Sequence, residues 1–189
     1  MTYGDYMTGS DLILSVAPTA PERVREDVSL PVTPETIAAQ VADCADVGAT
    51  TASVYGWTAE GSQTPAGLPD VAAAIRERTT DVLVEYAVGP ECQLGDYLDV
   101  LDSRPRPDLA QLRITPTQYG RRGATRRTRK DVDSFLEVLQ DRNIKPNLLI
   151  QSGRDIQELY RLIEADMITD PLVTLRLGAR EGAVATPLT

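Results

Sequence analysis

The chain has 189 residues, 42% hydrophobic and 25% charged, with 28 acidic against 19 basic residues and a formal net charge of −9. That is enough chain for one domain with a full core, and too apolar a chain for a disordered one. No apolar run approaches the ~20 residues of a membrane-spanning helix, the acid excess disfavours a nucleic-acid partner, and the absence of histidine removes the commonest catalytic base and metal ligand.

Lysine occurs only at Lys130 and Lys145, so arginine carries nearly all the positive charge. Two readings stay open: adaptation to a high-salt cytoplasm, or a GC-rich genome that favours arginine codons. Met1–Ser10 is polar and carries Asp5, unlike a secretory signal. The expectation is a single soluble, cytoplasmic domain over residues 1–189. Cys44 and Cys92 are too few and too far apart for a disulfide framework or a zinc knuckle, and read as small buried hydrophobes.

In chain order, the apolar run Leu12–Ala17, bounded by Pro18, predicts the first strand. Residues 19–32 read as a loop. Thr33-Pro34-Glu35 is a helix start, with Thr as N-cap, Pro at the first helical position and an acid in the first turn. Ile37, Val41, Cys44 and Val47 repeat at helical spacing, and Gly48 stops the helix. Thr50–Tyr55 predicts strand two, followed by a Gly/Ser/Pro-rich loop to Pro69 and a helix with Val71, Ala74 and Ile75 on one face. Asp81–Val88 predicts strand three, broken by Gly89-Pro90. Leu94, Tyr97, Leu98 and Leu101 predict the next helical face, and Leu109–Thr115 strand four.

Tyr119–Lys130 is a basic loop holding close to a third of the 19 basic residues. Without interleaved aromatics it reads as pairing with acidic surface of a partner or another copy, not as a nucleic-acid contact. Thr128 and Asp131 have capping-box spacing, with Asp for the usual Glu. Val132, Phe135, Leu136 and Leu139 follow as a helical face. Ile144–Gln151 predicts strand five, a helix from about Arg154 carries Ile156, Leu159, Tyr160 and Ile163, and Leu172–Leu177 predicts strand six.

Such alternation predicts an α/β fold with parallel strands and right-handed crossovers. An open doubly wound sheet and a (β/α)8 barrel compete. No G-x-G-x-x-G or P-loop follows strand one. A complete barrel needs ~250 residues, so this chain stops roughly two βα units short of one.

Three stretches favour the barrel. Ala17-Pro18-Thr19-Ala20, then Leu30-Pro31-Val32-Thr33-Pro34-Glu35-Thr36-Ile37 leading to Ala45-Asp46-Val47-Gly48-Ala49, form the first. Asn143-Ile144-Lys145-Pro146-Asn147 is the second. Asp170-Pro171-Leu172 through Leu177-Gly178, with Ala185-Thr186-Pro187, is the third. Together they resemble the β-keto acid cleavage enzymes, also called 3-keto-5-aminohexanoate cleavage proteins. The resemblance implies an incomplete TIM (β/α)8-type barrel of about six parallel strands with helices.

The family's activity is zinc-dependent acyl transfer: a β-keto acid and acetyl-CoA give acetoacetate and a new CoA thioester. The metal polarises the keto acid as a Lewis acid. The resemblance also implies where the chemistry would sit, and there this chain departs from the family. The His-x-His metal pair falls on Ser53 and Tyr55, and the following charged positions fall on Trp57 and Thr58. The substrate-binding turn of strand three falls on Ala87-Val88-Gly89-Pro90. A strand-five carboxylate motif becomes Pro146-Asn147-Leu148-Leu149, and the late glutamate ligand belongs to strands beyond the six found here.

Strand parity then predicts the residues that fill the interior. They are Ser53 and Tyr55; Glu85 and Ala87; Gln111, Arg113 and Thr115; Asn147 and Gln151; Thr174 and Arg176. Glu85 and Arg113 are expected on adjacent strands, ~5 Å apart in the pairing direction. Either Arg113 and Arg176 grip a carboxylate or phosphate with Tyr55 and Ser53 donating, or Glu85 and the arginines form a buried ion network.

The leading expectation is a non-catalytic member of the family with no cofactor and no assigned catalytic residue, acting as a homo-oligomer or with a complementary barrel subunit. The alternatives are the zinc-dependent acyl transfer or C–C cleavage with the site completed by a partner, and binding of a small carboxylate or CoA-type ligand.

Overall fold

A computed structural model describes residues 13–19, 33–58, 63–87, 94–115 and 128–176. Leu12, Val88, Gly89-Pro90, Cys92, most of the basic loop, Leu177 and Ala185–Pro187 lie outside the described residues.

In chain order the elements are β1 (Ser15–Val16), α1 (Pro34–Asp46), β2 (Thr51–Val54), a short 3₁₀ turn (Pro65–Gly67) and α2 (Leu68–Arg78). They continue as β3 (Leu83–Tyr86), α3 (Gly95–Leu101), β4 (Leu109–Arg113), α4 (Arg129–Asp141), β5 (Lys145–Ile150), α5 (Gly153–Glu164) and β6 (Leu172–Leu175). The six strands form one sheet in the order β1-β2-β3-β4-β5-β6, and every pairing is parallel. Sequential parallel order with helical crossovers is how a (β/α) barrel is built, and a doubly wound sheet would reverse its order part-way.

Even-numbered residues of β2 to β5, such as Ala52, Val54, Val84, Tyr86, Ala110, Leu112, Leu148 and Ile150, belong to the main core under the helices. Odd-numbered residues face the other side of the sheet, the barrel interior. The helices answer with Ile37 and Val41 of α1, Leu68, Val71 and Ile75 of α2, Tyr97 and Leu101 of α3, and Phe135, Leu136 and Leu139 of α4, all buried. Each such side chain contributes about 1.5–3 kcal/mol on burial.

Local signals are realised where the chain itself holds them. Thr33 Oγ1 accepts from the Thr36 N–H at 3.3 Å, with Pro34 in the first turn. Gly48 stops α1 with φ at +106°, a conformation L side chains rarely adopt. Thr128 and Asp131 form the reciprocal capping box of α4.

Several side chains point elsewhere than expected. Val47 sits past the last turn of α1 and is exposed, and Cys44 is only half-buried. Leu98 is exposed and Val100 buried in its place on α3. On α5 the difference is larger. Ile156, Tyr160 and Ile163 are exposed, while Asp155, Glu158 and Leu162 are buried. The reason is the neighbour on one side. Glu158 accepts from Arg129 of α4 and from Arg161, and Arg161 donates to Asp133 of α4 at 2.8 Å. This network draws the charged flank of α5 against α4, so the helix is rotated about its axis by ion pairing as well as by apolar content.

Hydrogen bonding to Arg129 holds the Glu158 carboxyl below its ordinary range, assisted by Arg161 and opposed by burial. A depressed carboxyl stabilises the fold above its unfolded pKa and loses that contribution as pH falls through the lower folded value. Glu158→Gln is therefore expected to cost about 1–3 kcal/mol at pH 7, with the difference from the parent protein vanishing in acid. Urea melts at pH 7 and below pH 4 check it; a pH-independent difference would disprove the network's role.

Candidate functional site

The polar side chains gather at the carboxyl ends of the strands, the end where barrel active sites form. Register decides which of them meet. Ser53 pairs with Glu85 across β2 and β3. Glu85 in turn pairs with Leu109 of β4. Arg113 is four residues further along β4, about 13 Å at strand rise. Glu85 and Arg113 do lie on adjacent strands, as expected, but the register sets Leu109 and not Arg113 opposite Glu85.

Glu85 is engaged by a different residue. Its carboxylate accepts a hydrogen bond from Asn147 Nδ2 of β5. Asn147 Oδ1 accepts from Thr174 Oγ1 of β6 at 2.9 Å. The chain Thr174–Asn147–Glu85 thus crosses the interior from β6 to β3, and its direction fixes the amide: nitrogen toward the carboxylate, oxygen toward the hydroxyl. Glu85 and Asn147 are both buried. Gln111, opposite Asn147, and Leu149, opposite Arg113, are also buried. Leu149 has interior parity and places an apolar side chain among these polar ones.

Thr115 is tied to the helix that follows β5. Its hydroxyl donates to Asp155 Oδ1 of α5. Asp155 Oδ2 accepts from the Gln151 N–H at 3.0 Å, the Ser152 N–H at 2.7 Å and Ser152 Oγ at 2.8 Å. This buried carboxylate therefore ties the ends of β4 and β5 to the start of α5. Its sequence signal is Ser152 with Asp155 three residues on, the spacing already recognised at Thr128 and Asp131. Gln151 is half-buried, and its main-chain N–H is committed to Asp155.

Tyr55 is buried just beyond β2. Its N–H donates to Thr19 Oγ1 at 3.1 Å, which ties the segment after β1 to the end of β2. Burial raises the pKa of its hydroxyl; Arg113 and Arg176 pull it down and Glu85 pushes it up. The phenol thus stands in the field of two guanidinium groups and one carboxylate. Arg113 is buried and Arg176 half-buried, and the Arg176 N–H extends the β6 ladder to Ile150 O at 2.9 Å.

Beyond Tyr55 the chain doubles back. The Thr64 N–H donates to Gly56 O at 2.9 Å, and Trp57 bridges Gln63. A Cβ on Gly56 would lie 2.2 Å from Thr64 O and 2.8 Å from Leu68 N. Both are backbone atoms and cannot swing away. Gly56→Ala is expected to destabilise by at least about 2 kcal/mol, read from chemical denaturation; an unchanged midpoint would show that this loop relaxes freely.

A profile of the family described as "beta-keto acid cleavage enzyme" matches residues 11–189. The chain belongs to the beta-keto acid cleavage enzyme family. No curated protein matches it. Among solved structures, ObcA in its apo form is similar at 15% identity with a TM-score of 0.61, over 79% of this chain and 36% of ObcA. The binary complex of ObcA with oxaloacetate is similar at 15% identity and a TM-score of 0.61, over 79% of this chain and 37% of that one. A putative mandelate racemase/muconate-lactonizing enzyme from Roseovarius nubinhibens ISM, complexed with magnesium, follows at 18% identity and a TM-score of 0.57, over 93% of this chain and 40% of its own. At these identities the likeness concerns the fold. This chain spans less than half the length of either neighbour.

Ser53 and Tyr55, onto which the resemblance carries the family's metal pair, do not have the chemistry of ordinary zinc ligands. Ser53 is a hydroxyl, and Tyr55 is a phenol whose ionisation burial opposes; zinc sites in proteins are built from Cys, His, Asp and Glu. Glu85, opposite Ser53 in the β2–β3 register, accepts from Asn147. Among the described residues, no cluster of three or more His, Cys, Asp or Glu is arranged to hold a metal. Also among them, no helix is long and apolar enough to cross a membrane.

Removing Asn147 strands a buried carboxylate. Asn147→Ala is expected to cost about 2–4 kcal/mol, and Glu85→Gln in that background to recover part of it. The double-mutant cycle in urea measures this; additive effects would mean that the two side chains are not coupled.

Proposed function

We propose that this chain is a non-catalytic member of its family that serves as an assembly subunit, a half-barrel binding a partner polypeptide. The observation that carries the reading is the state of the family's reaction positions. Ser53 and Tyr55 stand where the metal ligands would be. The interior group opposite Ser53 is bonded in turn to others, Thr174 to Asn147 to Glu85. A Lewis-acid site needs convergent, unoccupied donors. These residues instead satisfy each other, as a structural interior does. Among the described residues β1 and β6 are the outermost strands of the six-stranded sheet, and outer strands pair readily with other polypeptide.

A second reading has its own support. Tyr55 lies in the field of Arg113 and Arg176, an arrangement suited to a small carboxylate. Dicarboxylates raising the melting temperature of the parent protein but not of Arg176→Ala would favour it.

The main reading is tested by incubating the purified protein with acetyl-CoA, a β-keto acid and zinc. The expected result is no acetoacetate above the protein-free control, together with a native mass above that of one chain. Turnover that rises with protein concentration would overturn the non-catalytic assignment.

A further inference from the structure

Ion pairs and exposed acids occupy different parts of this fold. Several arginines are drawn into pairs that tie one element to another. Arg76 of α2 meets Asp108, Arg142 meets Asp102 at 2.6 Å, and Arg161 meets Asp133 and Glu158, each at 2.8 Å. The side chains of these three arginines are only 27%, 23% and 27% exposed. The outer faces of the helices, by contrast, carry acids that enter none of the ion pairs among the described residues. Asp46, Glu137, Asp141 and Glu164 are all exposed.

Two features make the positions of these acids unfavourable. On α4, Asp133, Glu137 and Asp141 follow one another at intervals of four residues. That spacing stacks like charges on successive turns and weakens a helix. In addition, Asp46, Asp141 and Glu164 are the last residues of α1, α4 and α5. There the helix dipole already presents its negative end, and a cation is the favoured neighbour. Neither α1 nor α4 has a basic residue in its last turn. Helix α5 has Arg161 there, which donates to Glu158 and Asp133. Each of these helices leads back to the start of the next strand, so the three carboxylates lie along the amino edge of the sheet.

We propose that ionic strength sets the stability of this fold, with dilute salt weakening it and screening cations restoring it. The inference goes beyond the non-catalytic and assembly readings and does not depend on either. A chain of net charge −9 repels itself. Salt acts on two opposing contributions, because it weakens ion pairs and also relieves like-charge repulsion. The magnitudes favour relief. The pairs rest on partly buried groups, such as Glu158 with 7% of its side chain exposed, and buried charges are screened much less than exposed ones. The acids that repel one another are exposed and are screened fully. Of the two readings of the arginine-rich, acidic composition, a codon bias accounts for arginine in place of lysine but not for this division of the charges. A concentrated electrolyte accounts for both.

The test is thermal unfolding of the full chain, followed by circular dichroism, in potassium chloride from about 0.01 M to about 1 M, over which the Debye length falls from roughly 30 to 3 Å. The melting temperature of the parent protein is expected to rise by several degrees across this series. The triple variant Asp46→Asn, Glu137→Gln, Glu164→Gln changes exposed side chains to isosteric neutral ones. It is expected to melt above the parent in the most dilute salt and to gain less as salt is added. A parent whose melting temperature stays level or falls with salt would overturn the proposal. An equal rise in parent and variant would also overturn it, because the effect would then belong to apolar burial strengthened by salt. A variant that melts below the parent in dilute salt would overturn it as well, by showing that these carboxylates stabilise the fold.

Discussion

A buried carboxylate sets the terms for the inside of this half-barrel. Glu85 is removed from water, and an ionised carboxyl there is tolerated only with hydrogen bonds directed at it. Asn147 supplies one, and Thr174 orients Asn147 by donating to its oxygen. Through these side chains β3 is tied across the interior to β5 and β6, strands with which it shares no main-chain pairing.

The outer layer is organised by a second set of buried charges. Asp155 gathers the ends of β4 and β5 at the start of α5, and Glu158 locks α5 to α4 through Arg129 and Arg161. Both acids occupy helix positions turned inward, which displaces Ile156, Tyr160 and Ile163 to the far flank. The rotation of one helix therefore links an ion network on one side to an apolar surface on the other.

The sequence by itself determined the alternation of strands and helices, the N-caps at Thr33 and Thr128, the stop at Gly48 and the family. These rest on local patterns: a period of two or 3.6 residues, a hydroxyl before a helical run, a residue free to take positive φ. Parity along a strand also assigns side chains to faces without reference to any other strand, although Leu149, with the same parity as Asn147, was not among the residues expected there. Tertiary structure alone decided how those side chains meet. The register of β3 on β4 sets Leu109 and not Arg113 opposite Glu85, and Asn147 of β5 reaches Glu85 across the interior; register belongs to the closure of the whole sheet. The exposed face of α5 was likewise decided by its neighbour, because pairing with Arg129 and Asp133 outweighed the apolar periodicity that marks Ile156, Tyr160 and Ile163 as core. Periodicity reports how a segment is built, whereas register and helix rotation are set by what it packs against.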